Sequence, residues 1–251
     1  MKKITQIEAV VQTLERLGGI ATLGQLNQEV FRIENCEWKT KTPFASIRRI
    51  VQEDNRIYKI KPGLWALKTY QEQLEHRGII AETELNQNTK ELQEFNHSYY
   101  QGLLLSIGKI KGLGTYAPNQ DKNKSFSNGK IDDWRSIQTI PNFSYENFVK
   151  RSSTIDVIWF NERKMPDSFF EVEHSTDITN SLEKYNDLRD FHTKMYIVAD
   201  KKREAEYSKK FSYTAFEKLN KEHRVRFLSY EELEKQYQQA VERQSIQTVI
   251  L

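Results

Sequence analysis

The chain of 251 residues is 29% charged and 37% hydrophobic, with a formal net charge of +3 and a mean hydropathy of -0.74. That length admits one large domain or two modest ones, and no apolar run approaches the roughly 18 residues of a membrane helix. The lone cysteine, Cys36, excludes an internal disulfide and a cysteine-based zinc site. The opening MKKITQIEAVV has polar residues where a signal peptide needs an apolar core, so the reading is a cytoplasmic protein with no membrane partner.

Ile4, Ile7, Val10, Val11, Leu14 and Leu17 form one apolar stripe at helical spacing, closed by Gly18-Gly19. A second short helix follows Thr22 as its cap, with Leu23, Leu26 and Val30 inward. A third starts at Thr42-Pro43 and carries Phe44, Ile47, Ile50 and Val51. The period then becomes strand-like. Residues 56–60 and 64–67 flank Lys61-Pro62-Gly63, which is turn chemistry for a β-hairpin. Three helices followed by a hairpin is the order of a winged helix-turn-helix.

Charge placement agrees with that order. Ser46, Arg48 and Arg49 lie off the apolar face of the third helix, Lys39 and Lys41 precede it, and Lys59 and Lys61 flank the hairpin turn. These seven residues are the expected DNA contacts: a recognition helix in the major groove and a basic wing on phosphates. The competing reading is a three-helix protein-interaction domain with ordinary solvated lysines. The pattern from Ile4 to Lys68, ending in GLWAL, resembles the HARE-HTH winged-helix domain of bacterial restriction endonucleases and eukaryotic chromatin proteins. That resemblance implies double-stranded DNA as a partner.

The first domain is therefore expected at 1–69 and a polar linker at 70–91, where Glu, Gln and Asn dominate and Ile79-Ile80-Ala81 is the one apolar cluster. The second domain is expected at 92–251. A helix with Phe95, Tyr99, Leu103, Leu104 and Ile107 opens it, and a polar loop with Lys122, Lys124 and Lys130 follows. Strands are expected at 154–160, 168–174, 195–200 and 225–228, with helices at 179–191, 204–219 and 230–243 between and after them. Alternating strands and helices indicate an α/β domain with a mixed sheet, α+β for the chain as a whole.

Acid inside apolar strands is the chemical signal. Asp156 sits within one strand, and Glu171 and Glu173 in the next. Residues i and i+2 of a strand face the same side. Buried carboxylates are costly unless paired, protonated or bound to a cation. Three of them converging would repel one another, and a divalent metal with a preference for oxygen relieves that repulsion. Such an ion can polarise a phosphoryl oxygen and lower the pKa of a water. The bland reading is strand-end carboxylates reaching solvent, or one held by a helix lysine such as Lys184.

The run IDVIWF…SFFEVEHSTDITNSLEKYNDL resembles the core of the PD-(D/E)xK, or restriction-endonuclease-like, superfamily. The resemblance implies that Asp156 and Glu171 are metal ligands. The segment His97-Ser98-Tyr99-Tyr100-Gln101, with Ile107-Gly108, is similar to the first helix of one branch of these nucleases. Ile155 stands where the family has Pro, and Glu173 where it has Lys. Glu173 then binds metal or acts as base, and Lys184 of the following helix supplies the lysine. His97 and Gln101, one helical turn apart, are possible lining residues. His174, His192 and His223 are expected to be packed or hydrogen-bonded.

The expected function is a sequence-specific endonuclease using one or two Mg²⁺ ions, of the restriction type and acting as a homodimer. Asp156, Glu171, Glu173 and Lys184 are its expected catalytic residues, the three acids also its metal ligands. The alternatives are a non-catalytic DNA-binding regulator with a degenerate nuclease fold and a nuclease subunit active only with partners. No phosphate-cradling loop of the G-x-x-x-x-G-K-[ST] type is present, which argues against ATP-driven action.

Overall fold

The structure is a computed structural model and describes residues 3–87 and 89–249. The outermost residues of both expected domains, and Asn88 of the linker, lie outside the described residues. Contacts divide the chain into two compact units. One comprises Met1–Phe95, Ser125–Gly129 and Gln236–Leu251, the other Asn96–Lys124 and Lys130–Lys235. The stretch expected to be a linker falls inside the first unit, because Leu74 and Ile79 are fully buried there.

The first unit opens with α1 (Gln6–Arg16), capped by Thr5, whose hydroxyl accepts from Glu8 N–H. Gly18 and Gly19 end it with positive φ, and Gly19 N–H returns to Leu14 O, a Schellman-type stop. A β-carbon on Gly19 would lie 2.2 Å from the Tyr70 ring, so glycine is required on space as well as φ. Strand β1 (Ile20–Thr22) leads into α2 (Leu23–Glu29) through a capping box between Thr22 and Gln25, worth about 1 kcal/mol. Helix α3 (Pro43–Glu53) starts with Pro at its first position and buries Ile47, Ile50 and Val51. Strands β2 (Ile57–Lys61) and β3 (Leu64–Leu67) follow, and the sheet order is β1-β3-β2. Strand β1 is too short to show alternation, so the sequence pattern does not announce it. A short helix α4 (Gln71–His76) completes this stretch.

The second unit is built on a mixed sheet. Helix α5 (Lys90–Ile110) enters it, followed by β4 (Gly114–Tyr116). The loop expected to be polar and irregular is internally tied. It contains the paired two-residue strands β5 (Ser125–Phe126) and β6 (Gly129–Lys130), of which Ser125–Gly129 counts with the first unit, and its Ile131 and Asp121 are buried. Helix α6 (Glu146–Ser152) precedes β7 (Val157–Phe160) and β8 (Pro166–Glu173). Next come α7 (Ile178–Asp187), β9 (Lys194–Ala199), α8 (Glu204–Phe211), α9 (Glu217–Lys221), β10 (Val225–Ser229) and α10 (Tyr230–Val249). The single helix expected at 204–219 is thus broken, with a 3-10 turn at Thr214–Phe216.

The sheet order is β10-β9-β8-β7-β4. Strands β8, β9 and β10 are parallel, while β7 is antiparallel to both β8 and β4. This is the mixed α/β sheet expected. Phe160, Phe169, Met195 and Ile197 pack with Leu182 and Tyr185 of α7, each buried side chain contributing roughly 1.5–3 kcal/mol. Trp159 of β7 donates its indole N–H to Leu104 O of α5 at 3.0 Å. Gly108 permits that approach, since a β-carbon there would meet Trp159 Nε1 at 2.6 Å.

Candidate active site

Strand polarity brings the acids together. Because β7 runs against β8, its start lies beside the end of β8, with Val157 opposite Phe170. Asp156 stands in a bend just before β7. The expectation that it lies inside the strand is therefore corrected: the bend turns its carboxylate to the β8 backbone, where Oδ2 accepts from Val172 N–H at 2.8 Å. The His97 Nε2 lies 3.3 Å from the same oxygen. Gln101, one turn further along α5, donates its amide to Asp156 O at 2.8 Å and to Asp121 Oδ2 at 3.0 Å. Asp121 in turn holds Lys124 at 2.6 Å.

Glu171 and Glu173 share the face of β8 that α7 covers. The Ser181 hydroxyl of α7 donates to Glu173 and lies 3.3 Å from Glu171 Oε2. Lys184, one turn on, places Nζ 3.0 Å from each Glu171 oxygen and 3.0 Å from Thr154 O. Lys184 therefore reaches the site from the following helix. Glu173 is turned instead to the hydroxyls of Ser181 and Thr176. Tyr230 donates to its backbone carbonyl at 3.3 Å.

The electrostatics separate the two leading acids. Burial, then the charge of Asp156, pushes Glu171 well above the usual carboxylate range, and Lys184 only partly offsets this. Burial acts in the same direction on Asp156, but the charge and hydrogen bond of His97 outweigh it and hold Asp156 below its ordinary value. Burial works against the charged form of His97, yet Asp156 overrides it and raises the imidazole. The Nδ1 of His97 and Oε1 of Gln101 are buried without a hydrogen-bond partner.

Asp156 and Glu171 can offer a hard divalent cation an all-oxygen donor set, and the excess negative charge that raises Glu171 is what such a cation relieves. As the side chains are placed, no group of three or more His, Cys, Asp or Glu among the described residues is arranged to hold a metal ion. The expected third ligand, Glu173, is engaged by hydroxyls, and Lys184 supplies positive charge at Glu171. Sequence reasoning missed Asp121. Its only signal was an acid at the head of a loop taken as solvent-exposed, whereas it is 2% exposed.

The expected DNA contacts divide. Lys39, Lys41, Arg48, Arg49 and Lys59 are exposed and Ser46 is half-buried. Lys61 is 4% exposed, so its expected place on a basic wing is corrected. The β2–β3 register shifts between Lys59 and Lys61, which turns Ile60 and Lys61 inward together. The hairpin turn is also tied down, with Gly63 O accepting from Leu23 N–H at 2.7 Å. His174 is half-buried with its ring stacked parallel to Tyr230 at 6.3 Å. His192 and His223, expected to be packed or hydrogen-bonded, are exposed.

The mixed sheet thus brings Asp156, just before β7, close to Glu171 of β8, and α7 adds a lysine at Glu171. The chain belongs to the family described as the type II restriction enzyme NmeDI C-terminal domain, whose model matches residues 79–250. It is 27% identical over 157 residues to type II restriction enzyme NmeDI of Neisseria meningitidis serogroup C, covering 59% of this chain and 44% of that relative. The chain thus spans less than half the length of that enzyme. No solved structure gives a significant match. Among the described residues, no helix is long and apolar enough to cross a membrane.

Proposed function

We propose that the chain is a Mg²⁺-dependent DNA endonuclease of a restriction system, with a PD-(D/E)xK-type site in the second unit and a winged-helix DNA reader in the first. The observation that carries this is the ammonium of Lys184, 3.0 Å from both oxygens of Glu171, inside the span matched by the restriction-enzyme family. Asp156 and Glu171 are the carboxylates that would hold the ion. Bound there, it would supply a Lewis acid for a phosphoryl oxygen and lower the pKa of a water.

The chain's own groups do the rest. Lys184 holds a fixed positive charge where a phosphate would approach, and its other contact, Thr154 O, keeps it from swinging away. His97 fixes the carboxylate of Asp156, and Gln101 fixes its backbone. In the first unit, Arg48 and Arg49 of α3 face solvent for base and phosphate contacts. Cutting both strands of a duplex calls for two such sites, hence a homodimer.

One observation favours a second reading, a non-catalytic DNA-binding regulator. Glu173 occupies the place where the superfamily has lysine, and its carboxylate is capped by two hydroxyls. Plasmid DNA, unmodified and methylated, incubated with Mg²⁺ or EDTA separates the two. Discrete Mg²⁺-dependent fragments that vanish in Asp156→Ala establish the nuclease. Uncut DNA in every lane with an intact gel shift points to the regulator or to a nuclease subunit that acts only with partners.

A further inference from the structure

The parallel strands begin at the end of the sheet away from Asp156 and Glu171. Asp167 and Glu171 are both on β8, so the two ends are separated by roughly 13 Å along that strand. At the starting end lies a cavity of about 380 Å³. Its wall carries His192, Thr193 and Lys194 from the approach to β9, and His223, Arg224 and Arg226 from the approach to β10. Asp167 lies 3.6 Å from Lys194 Nζ and Glu222 lies 3.5 Å from Arg224 Nη1, two carboxylates against the three charges of Lys194, Arg224 and Arg226. Hydrogen-bond donors and positive charge therefore exceed what the cavity itself satisfies.

Four details make this more than a basic surface. Arg224 is fixed: its guanidinium donates to Arg189 O at 3.3 Å and to Phe191 O. Arg226, by contrast, is exposed, and no ion pair or hydrogen bond engages its side chain among the described residues. Thr193 is 7% exposed, and its hydroxyl is buried without a partner. His223 sits at φ 50, just beyond α9, where Arg224 N–H closes back onto Leu219 O. Glycine is the usual occupant of that helix-ending position. Here a side chain is kept at a conformational cost, and it lines the cavity.

We propose that this cavity binds a phosphate group. Arg226 and Lys194 would pair with the anion, Arg224 would be a fixed wall charge, and His223 and the Thr193 hydroxyl would donate to its oxygens. The volume leaves room for the moiety that carries the phosphate. A DNA backbone and a free phosphate-bearing small molecule present the same chemistry. The inference stands apart from the nuclease reading, since binding is measured without cleavage.

The test uses the full chain in EDTA with two variants that leave the core untouched. His223→Gly removes the imidazole and relieves the left-handed backbone, and Arg226→Gln removes an exposed charge. Pyrophosphate binding is read by calorimetry, and binding of a fluorescent DNA duplex by anisotropy. Pyrophosphate should bind the unmodified chain, and about tenfold more weakly once one charge-assisted hydrogen bond is lost in Arg226→Gln. A parallel fall in DNA affinity identifies the backbone as the source. Unchanged DNA affinity identifies a small phosphate-bearing ligand. Absence of pyrophosphate binding, or equal binding by all three proteins, overturns the proposal.

Discussion

Lys184 bridges both carboxylate oxygens of Glu171 at 3.0 Å, although the two residues lie on successive elements, α7 and β8. Glu171 is almost wholly enclosed, its side chain 3% exposed against 22% for the lysine. The pair is thus a charge partnership made largely out of water, where losing one member strands the other.

Lys184→Met should expose that dependence. Urea unfolding at pH 7 should lose about 3 kcal/mol, the usual cost of breaking a buried pair. At pH 5 the loss should be smaller, because the stranded Glu171 takes up a proton. A loss that is the same at both pH values would contradict the pairing. Under the proposed function, Mg²⁺-dependent cleavage should disappear as well.

Glu171 also sets a pH dependence. Its folded pKa is raised, so its contribution to stability is complete below the ordinary carboxylate value and is lost as pH rises through the folded value. Asp156, held low, behaves oppositely: its contribution is lost as pH falls below the ordinary range. Between pH 5 and 9, in EDTA, Glu171→Gln should therefore gain stability relative to the unmodified chain as pH increases. Parallel denaturation curves across that range would show that Glu171 does not carry the burden assigned to it.

Under the proposed function, Arg48 and Lys61 of the first unit should behave differently on substitution. Arg48→Ala should weaken duplex binding and reduce the slope of log affinity against log salt by about one, as expected for one lost phosphate contact. Lys61→Ala should leave that slope unchanged and lower the melting temperature, since the residue is buried. Anisotropy over a salt series together with thermal unfolding distinguishes them. A reduced salt slope in Lys61→Ala would restore it to the DNA interface.

Gly108→Ala should destabilise the second unit by about 1–3 kcal/mol, the range for overpacking a tight contact. The new methyl would meet Thr115 Cγ2 at 2.5 Å and Trp159 Nε1 at 2.6 Å. Tryptophan fluorescence during urea unfolding reads it. An unchanged midpoint would mean that α5 and β7 are not held as closely as described.

The acids were legible in the sequence because charge inside an apolar run is costly, and that cost is visible without a fold. Asp156 and Glu171 stood out this way, whereas Lys184 entered as a helix lysine near them and through the family resemblance. Thr22 and Pro43 were legible because capping and first-turn chemistry are local. What escaped depends on partners remote in sequence. Strand β4 has three residues, too few for a period, and exists because Tyr116 pairs with Ile158. Asp121 is buried because Gln101, on a different element, claims it. Lys61 was misread because a bulge puts two consecutive residues on the same side, and no residue type announced that bulge.

Helix α10 carries a consequence for how this chain can be taken apart. It is one helix, yet residues through Lys235 count with one compact unit and those from Gln236 with the other. Tyr237 reaches Thr22 with its hydroxyl at 3.0 Å, and a β-carbon on Gly24 would be 2.9 Å from that ring and 3.0 Å from Val241. The first unit is therefore completed by a segment whose Tyr237 lies 215 residues downstream of Thr22 in the chain. No single crossover can trade the first unit for another as an intact cassette, so a hybrid that swaps the opening segment alone inherits a foreign closing helix. Under the proposed function, specificity would change by drift at α3 more readily than by wholesale replacement.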